Sequence, residues 1–199
     1  MSWRFQLLGK PLGGVTEGPV WDGEAIYFSH IPTSRILRYD PDSRTISEAR
    51  SGTNHTNGLA HDSQGNLFGC CSGGRAIVRF DADGGNTTVA DRVDGIKLNT
   101  PNDLALDRRG RVWFTNPWNA GNIDPNEHED LDNRSVLRAD PAPDGSYSVT
   151  RVTYDTTMPN GILVSQDQQT LYVADSNSER LDLDRELRTR KIPTVRHGC

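Results

Sequence analysis

Four polar residues, Glu17, Asn57, Asn102 and Asn160, hold matching places along the chain. They stand 40, 45 and 58 residues apart, and each lies 9 to 11 residues ahead of an apolar segment: Ile26-Tyr-Phe, Leu67-Phe, Val112-Trp-Phe or Leu171-Tyr-Val. One carboxylate and three amide oxygens form a hard, oxygen-only donor set with no thiolate or imidazole. That set suits calcium, ahead of zinc, because calcium takes about 6–8 oxygens from side chains, carbonyls and water. Asn-Gly and Glu-Gly-Pro are also turn dipeptides, in which the Asn can cap its own backbone. The shared register of all four is what favours a site over four separate turns.

Such residues act together only if the fold brings them together. Each repeat reads as a strand after the polar anchor, a turn, and a second strand carrying the apolar segment. Asp22-Gly23, Asp62 to Gly65, Asp107 to Gly110 and Gln166 to Gln169 supply the turns. A third strand ends in an acid: Arg35-Ile-Leu-Arg-Tyr-Asp, Ala76-Ile-Val-Arg-Phe-Asp and Ser135-Val-Leu-Arg-Ala-Asp share apolar-apolar-Arg-x-Asp. Repeats of this length built from short strands predict an all-β propeller, whose blades bring equivalent positions to one axis. The apolar segments are near-continuous, as strands covered on both faces require. Because the second strand returns to the anchor's end, Asn116 and Asp175 are expected to stand behind the anchor ring, with Asn57.

The composition sets limits on partners. The 199 residues carry a formal charge of −5, yet residues 185–199 hold five basic residues against one acid, so the rest of the chain is at −9. An acidic body excludes a nucleic-acid partner, which needs a basic face. No apolar run is long enough to cross a bilayer, and the start, Met-Ser-Trp-Arg-Phe, lacks the apolar region of a secretion signal; no membrane partner and a cytoplasmic location are expected. Cys70 and Cys71 are adjacent, giving neither a disulfide framework nor zinc spacing. The chain has no Gly-x-Ser-x-Gly elbow and no phosphate loop. The acid-rich stretch Trp118 to Arg134 is not an EF-hand and reads as a solvated loop shaping a pocket at the channel mouth. His30 and His55 fall near the anchor face, where they could touch a substrate.

The segments TEGPVWDGEAIYFSHIPTSRILRYDPDS, LNTPNDLALDRRGRVWFTN and MPNGILVSQDQQTLYVADSNSERL resemble the gluconolactonase family, which includes senescence marker protein (regucalcin) and luciferin-regenerating enzyme and, more distantly, the paraoxonases. The resemblance runs from about Phe5 to Leu187. It implies a six-bladed propeller with a divalent metal at the channel mouth and hydrolysis of a lactone or ester ring. By that similarity Glu17 and Asn160 match metal ligands, and Asn102 matches an Asn that contacts substrate or metal. Asn116 stands where many members have Asp, and Thr100 where vertebrate sugar-lactonase members have Arg; both departures point away from sugar lactones.

The resemblance also implies an Asp in a later Gly-x-Asp-Gly loop as ligand and general base, and this chain has no such loop. Six blades at the observed spacing would take roughly 290 residues, so about four blades are expected within residues 1–187. Residues 188–199 read as an out-of-frame or unstructured tail. An open arc would leave strand edges and apolar blade faces bare, so self-association of this truncated form is expected. Two functions follow: metal-dependent hydrolysis of a lactone or ester in the intact parent, or metal or metabolite binding without catalysis, including an inactive truncated product.

Overall fold

A computed structural model describes residues 4–176 and 189–193. Three four-stranded antiparallel sheets follow one another along the chain, each with its strands in sequence order. The first contains β1 (Thr16–Trp21), β2 (Ile26–His30), β3 (Arg35–Asp40) and β4 (Thr45–Ser51). The second contains β5 (Thr56–His61), β6 (Leu67–Cys71), β7 (Ala76–Phe80) and β8 (Asn86–Ala90). A short hairpin, β9 (Arg92–Val93) and β10 (Ile96–Lys97), leads into the third: β11 (Leu104–Leu106), β12 (Val112–Asn116), β13 (Ser135–Pro141) and β14 (Tyr147–Arg151). A fourth sheet holds β15 (Pro159–Val164), β16 (Thr170–Asp175) and β17 (Thr189–Pro193). The architecture is all-β and propeller-like. Among the described residues no helix is long and apolar enough to cross a membrane.

Period-2 alternation on strands covered from both sides builds the layers. In β12, Val112 and Phe114 face the second blade, in one core with Phe68, Cys70 and Ile77, while Trp113 faces the fourth, with Leu171 and Val173. A third core, with Ile36, Leu59, Cys71 and Val78, joins the first blade to the second. Each fully buried Val, Leu or Phe in these layers stabilises by about 1.5–3 kcal/mol.

The turns form where the sequence places them, by Asx capping. Asp22, Asp62 and Asp107 each accept two backbone N–H groups from the residues that follow them. The repeated Arg-x-Asp also has a physical cause. Residues two apart on a strand share a face, and Arg38–Asp40, Arg79–Asp81 and Arg138–Asp140 are ion pairs.

Two features escape the sequence pattern. The outer strand β4 is largely exposed, and β8 and β14 give the core only Val89 and Ala90, and Tyr147 and Val149, so their apolar signature is weak. Strand β17 arises inside the segment read as a patternless tail, with Thr189 opposite Ala174 and Pro193 opposite Thr170. Main-chain pairing needs no side-chain alternation, and β16 offers an open row of donors and acceptors. The rest of that tail, with His197, lies outside the described residues. On the fourth blade Leu163 and Tyr172 are cross-strand partners and remain 61% and 40% exposed. On the first blade Trp21 is 52% exposed.

Candidate functional site

Three of the four anchors sit at β-bulges. The pairing of β1 with β2 slips between Glu17 and Val20, that of β5 with β6 between Thr56 and Leu59, and that of β15 with β16 between Pro159 and Ile162. A bulge turns one residue out of the sheet's alternation and re-aims its side chain. In the third blade the pair Asn102-Asp103 precedes β11 and is held by backbone bonds to Thr115.

The blades then bring all four anchors to one cavity of about 300 Å³, lined by Glu17, Asn57, Asn102 and Asn160 together with Asp103 and the glycines that follow three of the anchors. Glu17 and Asn160 are exposed, and Asn57 and Asn102 are half-buried, so the cavity is open to solvent. Among the described residues none of the four anchor side chains has a hydrogen-bonding partner. Their oxygens are therefore available to a ligand.

Glycine permits the close approach. Gly18 has φ of +55°, and a Cβ there would lie 2.5 Å from the Leu59 nitrogen and 2.8 Å from the Asn57 oxygen. Gly58 donates its N–H to the Asn102 carbonyl at 2.8 Å, tying the second blade to the third.

Asp103, which sequence reasoning passed over, occupies the same step after its anchor that Gly18, Gly58 and Gly161 occupy after theirs. That break in the repeat is the signal that could have found it. One carboxylate oxygen accepts the Leu104 N–H at 2.9 Å, and the other accepts the Ile162 N–H of the fourth blade at 3.1 Å. Burial pushes this carboxyl above its ordinary range and the nearby Glu17 adds to the rise, against the two N–H donors.

The other expected residues divide. Asp175 accepts from the backbone N–H groups of Thr157 and Met158, fixing the turn that leads into Asn160. Asn116 is fully buried, its amide makes no hydrogen bond among the described residues, and it does not line the cavity. Thr100 is buried and bonds Pro117 and Asn119. His30 and His55 do not line the cavity either. The two His30 nitrogens meet Thr33 and the Gly13 carbonyl, and His55 meets the Ile31 carbonyl, so their polar tips serve local turns.

The acidic stretch is solvent-exposed in part, as expected, but among the described residues none of 118–134 lines the cavity. Arg75, 1% exposed, donates to Glu127, Asp130 and the Leu98 carbonyl and lies over the Trp118 ring. Glu127 also meets Lys97, and Glu129 meets Arg134 and Asn99. A buried guanidinium needs anionic partners, and this loop supplies them.

Among the described residues no group of three or more His, Cys, Asp or Glu side chains is placed to hold a metal. A cation in this cavity would rest on amide oxygens as much as on carboxylates. Cys70 and Cys71 are free thiols, buried in the cores; burial holds the Cys71 thiol up at about 11.

Comparison with known proteins points to one family. The family model described as SMP-30/Gluconolactonase/LRE-like region matches residues 15–192. A curated gluconolactonase of Zymomonas mobilis is 29% identical over 181 residues, with 83% of this chain and 49% of the relative covered. The structure of a Xanthomonas campestris gluconolactonase shares 32% identity at a TM-score of 0.78, with 92% of this chain and 59% of that one covered. A calcium-binding protein from Agrobacterium tumefaciens, named regucalcin, has the same fold at 19% identity and a TM-score of 0.67, over 94% of this chain and 56% of its own. The chain spans about half the length of the curated relative. With the repeat, the propeller sheets and the family match in agreement, the chain belongs to the SMP-30/gluconolactonase/LRE-like family.

Proposed function

We propose that the anchor cavity takes a hard divalent cation, calcium before zinc, together with the ring of a lactone or ester. The observation that carries this reading is the convergence on one open cavity of Glu17, Asn57, Asn102 and Asn160, whose side chains have no hydrogen-bonding partner among the described residues. Their chemistry fits the ion: oxygen donors only, with Glu17 as the carboxylate among them. Glu17, Asn102 and Asn160 would hold it, with Asn57 behind them. When bound, such a cation polarises a ring carbonyl and stabilises the oxyanion that develops on it. The gluconolactonase relatives support a ring ester as the substrate class, and the neighbour described as calcium-binding supports the ion.

The chain's own residues decide between turnover and binding. Of the two lining carboxylates Glu17 is exposed and Asp103 half-buried, so Glu17 is the one placed to accept a proton from water. Glu17 is also the charged ligand, and a carboxylate neutralised by a cation is a weak base. This favours a second reading for the 199-residue chain, cation and metabolite binding without hydrolysis. Calcium calorimetry beside a lactone and aryl-ester hydrolysis panel separates the two. Calcium binding lost in Glu17→Ala supports the site, and hydrolysis abolished by a chelator supports the metal-dependent enzyme. Hydrolysis that persists in chelator or in Glu17→Ala would overturn the catalytic scheme.

A further inference from the structure

We infer that Asp103 and Thr115 form a clamp that positions Asn160, so that the third blade, together with the turn held by Asp175, sets where this anchor stands. The inference rests on the cavity being a cation site, as proposed above, and assigns what builds its geometry. The bulge between Pro159 and Ile162 removes Asn160 and Gly161 from the pairing with β16. Their main-chain groups must find partners elsewhere or lose hydrogen bonds. The third blade supplies them on both sides of the anchor: the Thr115 hydroxyl donates to the Asn160 carbonyl at 2.6 Å, and the Ile162 N–H donates to Asp103 at 3.1 Å.

The two clamp residues also hold each other. The Asp103 N–H donates to the Thr115 hydroxyl oxygen at 3.0 Å, and the Thr115 N–H donates to the Asp103 carbonyl at 2.9 Å. The Thr115 hydroxyl thus accepts from one blade and passes its single proton to the next, a use of donor and acceptor that a hydroxyl satisfies fully.

The carboxylate of Asp103 has room only because its neighbours are small. A Cβ on Gly58 would lie 2.5 Å from one of its oxygens, while a Cβ on Gly161 would stand 3.9 Å from the other. Lodged between the second and fourth blades, the side chain fixes the spacing of Asn57, Asn102 and Asn160 in one piece. A cation bound by several groups is sensitive to that spacing, because its affinity depends on preorganised donors. Asp103 and Thr115 are positioning residues: each acts through Asn160.

The test uses the full 199-residue chain with calcium as the probe, comparing Asp103→Asn, Thr115→Val and Thr115→Ser. In Asp103→Asn the amide NH2 confronts one of two N–H donors. In Thr115→Val the shape is kept but the relay is lost, with no charge removed. Each should weaken calcium binding by about tenfold, the scale of one hydrogen bond to a polar or charged partner. Thr115→Ser should stay within about threefold of the parent. Amide exchange at Ile162 should rise by about tenfold in Asp103→Asn, with Leu171 unchanged. Parental calcium affinity and parental Ile162 exchange in both Asp103→Asn and Thr115→Val would overturn the clamp. If the parent chain binds no calcium, the cation reading falls, and the clamp is judged on Ile162 exchange and the Asn160 side-chain amide resonance. A shift in those signals then supports it, and parental values refute it.

Discussion

Two glycines at equivalent places in the repeat should respond oppositely to the same methyl group. Gly58 follows the second anchor, and a Cβ there would meet an Asp103 carboxylate oxygen at 2.5 Å, the Asp103 Cα at 2.7 Å and the Asn102 carbonyl oxygen at 2.8 Å. Two of these three atoms are backbone and cannot swing aside, so Gly58→Ala must push the second blade from the third. Overpacking of this kind costs about 1–3 kcal/mol. For a domain of this size each kcal/mol moves the melting temperature by about 2–4 °C, so a fall of about 2–12 °C is expected. Gly161 follows the fourth anchor, where the added Cβ meets the Ala174 Cβ and an Asp103 oxygen only at 3.9 Å. With no clash, Gly161→Ala should gain the unfolded-state benefit of about 0.4–1 kcal/mol or stay near neutral. Calorimetric or fluorescence melts of the two variants beside the parent provide the assay. A Gly58→Ala chain that melts with the parent, or a Gly161→Ala chain that loses as much as Gly58→Ala, would refute this picture of blade contact.

Three further outcomes are expected. Replacing Arg75 by Met should cost about 2–3 kcal/mol, at or below the usual range for breaking a buried pair because Glu127 and Asp130 can reach water; limited proteolysis should then cut within residues 118–134, and an intact loop would contradict its tethering. The Ser43 amide and Arg38 hold the Asp40 carboxyl down at about 2, against an ordinary value of 3.8; its contribution is present above the ordinary value and lost as pH falls toward 2. Asp40→Asn should therefore flatten the decline in melting temperature between about pH 4 and pH 2, and an unchanged slope would count against the pairing. If the chain self-associates through the exposed Leu163 and Tyr172, Leu163→Glu or Tyr172→Glu should lower the apparent mass seen by light scattering, and an unaltered mass would show that this pair does not drive association.

What the sequence revealed follows from which forces leave a pattern. The inner strands were legible because Val112, Trp113 and Phe114 are buried from both sides and must all be apolar. The convergence of Glu17, Asn57, Asn102 and Asn160 was legible because a repeat maps equivalent positions to equivalent places. Strands β4, β8 and β14 were not, since an outer strand gives the core only one or two residues and tolerates polar ones elsewhere, and β17 was not, since backbone pairing alone carries no sequence signature. The tethering of the acidic stretch depends on Arg75, 52 residues before Glu127, a contact no local pattern encodes. His30 and His55 were expected near the anchor face but do not line the cavity: both His30 nitrogens meet Thr33 and the Gly13 carbonyl, and His55 Nδ1 meets the Ile31 carbonyl. Asp103 was hidden by its neighbour, because Asn102 drew the reading and the break from glycine to aspartate at the next position went unweighed.

The slipped pairing at Glu17, Asn57 and Asn160 has a consequence for how this scaffold can diversify. A side chain inside a regular sheet is bound to its neighbours by alternation, so exchanging it disturbs packing on a fixed face. At Asn57 and Asn160 the chain has stepped out of that constraint, and at Glu17 it does so at the next residue, while the strands on either side keep their partners. The chemistry at the rim and the stability of the sheets are thereby separately mutable: swapping glutamate, asparagine or aspartate among these positions changes the charge offered to a ligand while leaving the cores between the blades as they were. One architecture can in this way change its ligand set one residue at a time.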